Sequence, residues 1–331
     1  MSERVRKNYC SLNLTEKQEY IDAILALKAD GGYDELVNVH HQAMMNATPW
    51  DGDVGESRRN SAHRGPSFLP WHRQYLLVYE RELQRVSGNP NLALPYWNWL
   101  DDARLPDPKS AAIWSSNNIG GDGNPGFTEL DEDNPYPFTV MDGPFERWPT
   151  GTQVLERHLG LMVSNLPTMS DHDSMMSIDV FDTEPWDDSR DLGTFRNALE
   201  GWFPMPEGSR MHNQVHVWVG GSMLPGTSPN DPVFYMHHCF VDRLWADWQR
   251  KRQADGVSDL EDSYQPHTGR PIGHNIDDPM FPWHEGEEVA TARSMLDYRA
   301  LGFRYDNEPP ETAEDRVVPA PKFVSSKCHV E

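Results

Sequence analysis

Two histidines, His63 and His72, bracket the stretch HRGPSFLPWH, and Gly65, Pro66 and Pro70 stand between them. On one unbroken helix a separation of nine would point the two rings to opposite faces. The glycine and prolines interrupt that helix. They leave His63 on a loop and His72 inside the helix that follows, so the two rings can converge, and His40 can reach them from a separate segment. A second group sits far along the chain. His212 and His216, in MHNQVHVW, share one helix face a turn apart. His237 and His238 open the run DPVFYMHHCFVDRLWADWQRKRQ, and adjacent helical residues diverge by about 100°, so at most one of them can join the pair. Asp242, one turn beyond His238, is placed to hold its ring.

A lone histidine among apolar residues is ordinarily a hydrogen-bonded core residue. Two separate triads, each with a helical member and almost no cysteine nearby, point instead to metal chemistry. An imidazole environment suits copper, zinc, iron or nickel, with copper highest in the affinity order. Three histidines with an open position also serve hydrolytic zinc, which spacing leaves open.

Helical signals must position these rings. LTEKQEYIDAILALKADGG offers Thr15 and Gln18 as a capping box, an apolar set of Tyr20, Ile21, Ile24, Leu25 and Leu27, and a Gly31-Gly32 stop. A second helix is expected from Asp34, with Leu36, Val37, His40 and Met44 on one face, and a third from Pro70-Trp71. Between about 100 and 193 the periodicity fades into Gly, Pro, Asn and Asp. Trp114, Phe127, Tyr136 and Phe138 there are expected to pin the loops to the body. Helices return at TFRNALEGWF, MHNQVHVW and the His237-His238 run, where Val241, Leu244, Trp245 and Trp248 form a stripe. The reading is one mainly α domain, residues 1–305, with long loops and minor β, followed by a polar tail, 306–331.

Composition narrows the partners. The 331 residues carry 29 basic and 52 acidic side chains, a formal charge of −23 that repels phosphate, so nucleic acid and anionic membranes are not expected partners. No apolar run is long enough for a transmembrane helix. The basic start lacks an apolar segment after it, so no secretory signal is read. Cys10, Cys239 and Cys328 are far apart and form no CxxC pair, which makes a reducing cytoplasm the default location.

The stretches HRGPSFLPWHRQYLLVYERELQ, LPYWNW, MDGPF, MHNQVHVWVGG and SPNDPVFYMHHCFVDRLWADWQ resemble the bacterial tyrosinases, above all the Streptomyces type, which are coupled binuclear (type-3) copper proteins. The resemblance runs from about residue 4 to 250. It implies a central four-helix bundle holding two copper ions, the first bound by His40, His63 and His72, the second by His212, His216 and His238. His41 and His237 are then neighbours that do not ligate. It further implies O2 as co-substrate and ortho-hydroxylation of monophenols with oxidation of o-diphenols to o-quinones, as in pigment formation. Glu200 and Asn213 match the family's water-holding pair, which removes the phenolic proton as a general base. Val217, Gly226 and Ser228 are expected around the substrate pocket, with Phe234 and Pro232 packed under the copper helix. A separate copper-delivery protein, as in the Streptomyces relatives, is a candidate partner.

Within the same family the runner-up is an o-aminophenol or catechol oxidase with little monophenolase activity; a distant alternative is an oxygen-binding protein. The stretch GWFPMPEGSRM is longer than in the relatives it resembles and bears on substrate preference. Cys239 stands where a small residue is common and is read as a buried thiol. No cysteine lies between 11 and 238, so the Cys-His thioether of fungal and plant relatives is not expected near His63.

Overall fold

The computed structural model describes residues 3–48, 59–123, 138–189, 193–202, 210–269, 271–286 and 289–308. Helix α1, Leu14–Ala29, opens on a capping box formed by Asn13 and Glu16. The Asn13 side chain accepts the Glu16 amide at 3.0 Å and Glu16 accepts the Asn13 amide at 2.9 Å. This replaces the expected Thr15-Gln18 pair: Asn13 is extended and can cap, which puts Thr15 inside the first turn. Tyr20, Ile21, Ala23, Ile24 and Leu27 form the buried stripe, while Leu25 faces outward, 38% exposed, one helical step off Ile24.

Helix α2, Gly32–Met45, starts two residues ahead of Asp34, because Gly31 takes a left-handed turn (φ 89°) that lets the chain reverse at once. Its buried side chains are Tyr33, Leu36, Val37, His40 and Ala43. Helix α3, Phe68–Ser87, begins two residues before Pro70, whose ring is tolerated in the first turn where no intrahelical donor is needed. Short helices α4 (Trp99–Asp102), α5 (Met169–Met176) and α6 (Phe195–Glu200) precede α7, Met211–Val219, and the long α8, Val233–Ala254. Strand β1, Arg4–Arg6, pairs in parallel with β4, Phe303–Tyr305, tying the two ends of the described body together. Strands β2, Pro149–Thr150, and β3, Gln153–Val154, form a small antiparallel hairpin. The chain is therefore mainly α with minor β; α2, α3, α7 and α8 carry the histidines of both groups except His63, which sits on the loop before α3.

Asp242 does not hold His238. Its carboxylate accepts Arg73 Nε at 2.6 Å and Arg6 Nη1 at 3.2 Å, and it bonds the Tyr305 hydroxyl. All four groups are buried, so this carboxylate joins α3, α8, β1 and β4. A charge placed there is stabilised by two guanidinium groups at once. The loop-rich middle is pinned as expected by buried Trp114, and further by the buried Arg157–Asp231 pair, where Arg157 also bonds the carbonyls of Ile119 and Gly120. Phe138 is half-buried against the His158 ring; Phe127 and Tyr136 lie outside the described residues. Cys239 is a buried thiol, pushed up by burial to about 12. Among the described residues no helix is long and apolar enough to cross a membrane.

Candidate metal centre

Two groups of buried imidazoles face one another across the bundle. His40, His63 and His72 form one, and His212, His216, His237 and His238 the other; within each, one ring nitrogen per residue lies within 4.8 Å of the rest. The groups are contiguous. His72 stacks on His238 with ring centroids 4.3 Å apart, and His63 lies 6.1 Å from His212.

Backbone carbonyls set the tautomers. Nδ1 of His40 bonds the Gly226 carbonyl at 2.7 Å, Nδ1 of His72 the Phe68 carbonyl at 2.8 Å, and Nδ1 of His216 the Met223 carbonyl at 2.7 Å. Nδ1 of His212 bonds the Glu200 carbonyl at 3.2 Å. A carbonyl can only accept, so each Nδ1 carries the proton and each Nε2 keeps its lone pair. Those lone pairs point inward. Nε2 of His40 and of His72 are buried with no hydrogen-bond partner. Nε2 of His238 lies 3.3 Å from Nε2 of both His212 and His216.

A metal ion fits this arrangement. Donors about 2.0 Å from one ion at tetrahedral angles stand about 3.3 Å from each other. A cation between these nitrogens would accept the lone pairs that Nε2 of His212 and of His216 direct toward His238. Burial, with neighbouring histidines, holds His63, His72, His212 and His238 well below their ordinary pKa, while His40 is pushed down to about 3 and His216 to about 4, chiefly by burial. All six rings are neutral ligands at physiological pH.

His237 is closer than its helical divergence from His238 implies. Its ring stacks on His212 at 5.1 Å, and neither of its nitrogens has a hydrogen-bond partner. The 100° separation holds on the helix, but the site is broad enough to touch both faces.

Glu200 and Asn213 also reach the centre. Glu200 ends α6 fully buried; Oε1 accepts the Arg64 amide at 2.7 Å and Oε2 accepts Arg196 Nη1 at 2.9 Å. Burial raises its pKa, opposed by the Arg196 charge. Asn213 Oδ1 lies 3.1 Å from His212 Nδ1, and its Nδ2 is buried without a partner. Val217 is half-buried beside His216. Gly226 offers its carbonyl to His40, and Ser228 is buried in the turn that follows.

Phe68 was not singled out by its sequence, yet its ring lies 4.9 Å from both His72 and His212. Its position four residues before His72 was the available signal. Phe234 packs 4.1 Å from His238 and 5.0 Å from His40, touching both groups where a place under one helix was expected.

Comparison with known proteins follows the same lines. The family profile described as the common central domain of tyrosinase matches residues 30–251. The chain is 41% identical to a tyrosinase of Streptomyces glaucescens, over 89% of this chain and 97% of the relative. It is 33% identical to the grixazone synthase of Streptomyces griseus, over 91% and 99% respectively. Among solved structures, a polyphenol oxidase variant from Thermothelomyces thermophila superposes with a TM-score of 0.61 at 22% identity, covering 89% of this chain and 86% of the other. A functional unit of octopus haemocyanin does so at 0.57 and 20%, covering 92% and 68%.

Proposed function

The chain belongs to the tyrosinase family, a binuclear copper family, and on that premise we propose that it hydroxylates monophenols at the ortho position and oxidises o-diphenols to o-quinones with O2. One observation carries the reading: two facing groups of neutral imidazoles whose ring nitrogens converge, with Nε2 of His40, His72, His212 and His216 left unprotonated by the carbonyls on their Nδ1. His40, His63 and His72 would hold one copper ion and His212, His216 and His238 the other. Once bound, the copper pair supplies the two-electron chemistry with O2. Choosing His238 over His237 rests on the two 3.3 Å approaches of its Nε2.

The protein's own groups prepare the phenol. Glu200 Oε1 and Oε2 each accept one hydrogen bond and each keeps capacity for another. The free Nδ2–H of Asn213 can donate to a water that the Glu200 carboxylate polarises. That water takes the phenolic proton and leaves a phenolate to face the metal pair. Burial raises the basicity of Glu200 towards the working pH, which favours the transfer. Phe68 and Phe234 exclude bulk water from the rings, while Val217 and Gly226 leave the edge open to the substrate.

A second reading is an oxidase of catechols or o-aminophenols that hydroxylates monophenols poorly. Arg196 favours it, because a guanidinium 2.9 Å from Glu200 weakens the carboxylate as a base. Rates and lag phases on tyrosine, catechol and an o-aminophenol, measured on protein with copper content determined, separate the two. Two coppers per chain with no turnover of any phenol overturns both readings and leaves oxygen binding.

Location in the cytoplasm and copper supply by a separate delivery protein belong to the same proposal. Cys10 and Cys239, both free thiols, support a reducing compartment. We assign residues 1–308 to the catalytic domain, three residues beyond the expected boundary at 305, because Asp306 and Glu308 bond to its body.

A further inference from the structure

Four of the six proposed ligands are oriented by a carbonyl on Nδ1, but His63 is not: its Nδ1 is buried without any hydrogen-bond partner. The position of this ring depends on its loop. Asn60 Oδ1 accepts the amides of Ala62 and His63 at 3.0 and 2.8 Å, which fixes the start of the turn. The other end is held from far along the chain by His274.

His274 is fully buried and lies outside the segment that the family profile matches, residues 30–251. Its Nδ1 is 2.7 Å from the Ser67 hydroxyl and accepts the Ser67 amide at 3.3 Å. The same hydroxyl lies 2.9 Å from the Ser61 carbonyl, so one contact braces both sides of the turn. Its Nε2 lies 2.6 Å from the Thr48 hydroxyl, just beyond the end of α2. The ring also lies flush on Gly65: a methyl group there would stand 2.8 Å from Cε1. His274 is itself rigidly presented. Asp278 Oδ2 accepts the amides of Gly273 and Asn275 at 2.7 and 3.0 Å, and the Tyr264 hydroxyl donates to the His274 carbonyl at 2.7 Å.

We propose that His274 is a positioning residue for the first metal site: a neutral imidazole that locks the loop 60–67 against α2 and α3 and thereby aims His63. The proposal rests on the reading that His63 is a copper ligand. With the lock removed, His63 must be ordered on binding, and the affinity of its site falls while the second site keeps its own.

The test is copper retention by the full chain. Loaded protein is dialysed against graded chelator, and copper per chain is measured for the parent, His274→Phe, His274→Asn, Ser67→Ala and His63→Ala. The expected result is that His274→Phe loses one of the two coppers at about tenfold less chelator and keeps the second as the parent does. Ser67→Ala should follow it, and His274→Asn, which restores an acceptor near Nδ1, should recover part of the loss. A purely structural role would lower the melting temperature of the copper-free protein and leave both retention curves unmoved; that outcome overturns the proposal. Should His274→Phe fail to fold, Ser67→Ala with parental retention overturns it equally. His63→Ala separates the premise: if that variant holds both coppers as the parent does, His63 is not a ligand and the underlying reading fails first.

Discussion

Glu200 Oε1 accepts the backbone N–H of Arg64 at 2.7 Å, so the carboxylate proposed to activate the phenol also grips the residue after His63. Arg64 is held there with φ 63°, a backbone conformation that needs such support outside glycine. On the proposed roles, one side chain couples proton transfer to the placement of a metal ligand.

The two roles separate by substitution. Glu200→Gln keeps an oxygen to accept the Arg64 amide but removes the base, so monophenol oxidation should fall about 100-fold while catechol oxidation and copper content stay near the parent. Glu200→Ala removes both, and copper retention should drop as well. Steady-state rates on tyrosine and catechol, set beside copper per chain, read this out. Equal losses on both substrates in Glu200→Gln would refute the assignment of the base.

Acid should destabilise the copper-free protein before it protonates the folded site. Burial holds His40 and His274 down to about 3 and His216 to about 4, below the value of about 6.5 for an unfolded histidine. Between those values the unfolded chain binds protons that the folded chain refuses, so stability is complete above about pH 6.5 and drains away as the pH falls. Each such histidine removes at most about 2 kcal/mol between pH 6.5 and 5. Urea midpoints of copper-free protein should decline steadily from pH 7 to 5. A flat profile would contradict the burial of neutral rings.

Gly201 follows Glu200 with φ 104°, and a methyl group on it would stand 1.9 Å from the Arg210 carbonyl oxygen. The close approach of α6 to the start of α7 brings Glu200 beside His212. Gly201→Ala should cost about 3 kcal/mol, from backbone strain and the clash together. It should also impair the second copper site more than the first. Melting temperature and copper stoichiometry check both parts; an unchanged second site would show that α7 does not depend on this contact.

The histidines were readable because their geometry is local. A spacing of four on one helix aligns His212 with His216 whatever surrounds them, and Gly65, Pro66 and Pro70 announce the bend that frees His63. What orients them was not readable. The acceptors on Nδ1 are carbonyls of Gly226, Phe68, Met223 and Glu200, and any residue supplies a carbonyl. Asp242 shows the converse. Its spacing from His238 suggested a ring contact, but α8 is buried on more than one face, and Arg6 arrives from the far end of the chain to claim the carboxylate. His274 is more than 200 residues from Ser67, a separation that no local pattern bridges.

The end of the folded body can be located by cutting. Asp306 accepts the Asn8 amide at 3.0 Å and the Tyr96 hydroxyl at 2.6 Å. Glu308 is buried, bonding the Tyr298 hydroxyl at 2.8 Å, Arg299 at 2.7 Å and Arg250 at 2.7 Å. A chain ending after Asp306 loses the Glu308 carboxylate and leaves Arg250, Arg299 and Tyr298 without it, at a cost of about 3 kcal/mol. A chain ending after Glu308 keeps these bonds and should melt with the parent. Comparing the two by thermal unfolding and by catechol oxidation at matched copper content divides stability from shielding. Equal activity in the longer truncation and the full chain would mean that the residues beyond 308 do not cover the copper centre, whereas a gain in rate without a change in melting temperature would assign them that role. If the shorter chain were as stable as the longer one, the Glu308 cluster would contribute nothing, and the body would end at β4.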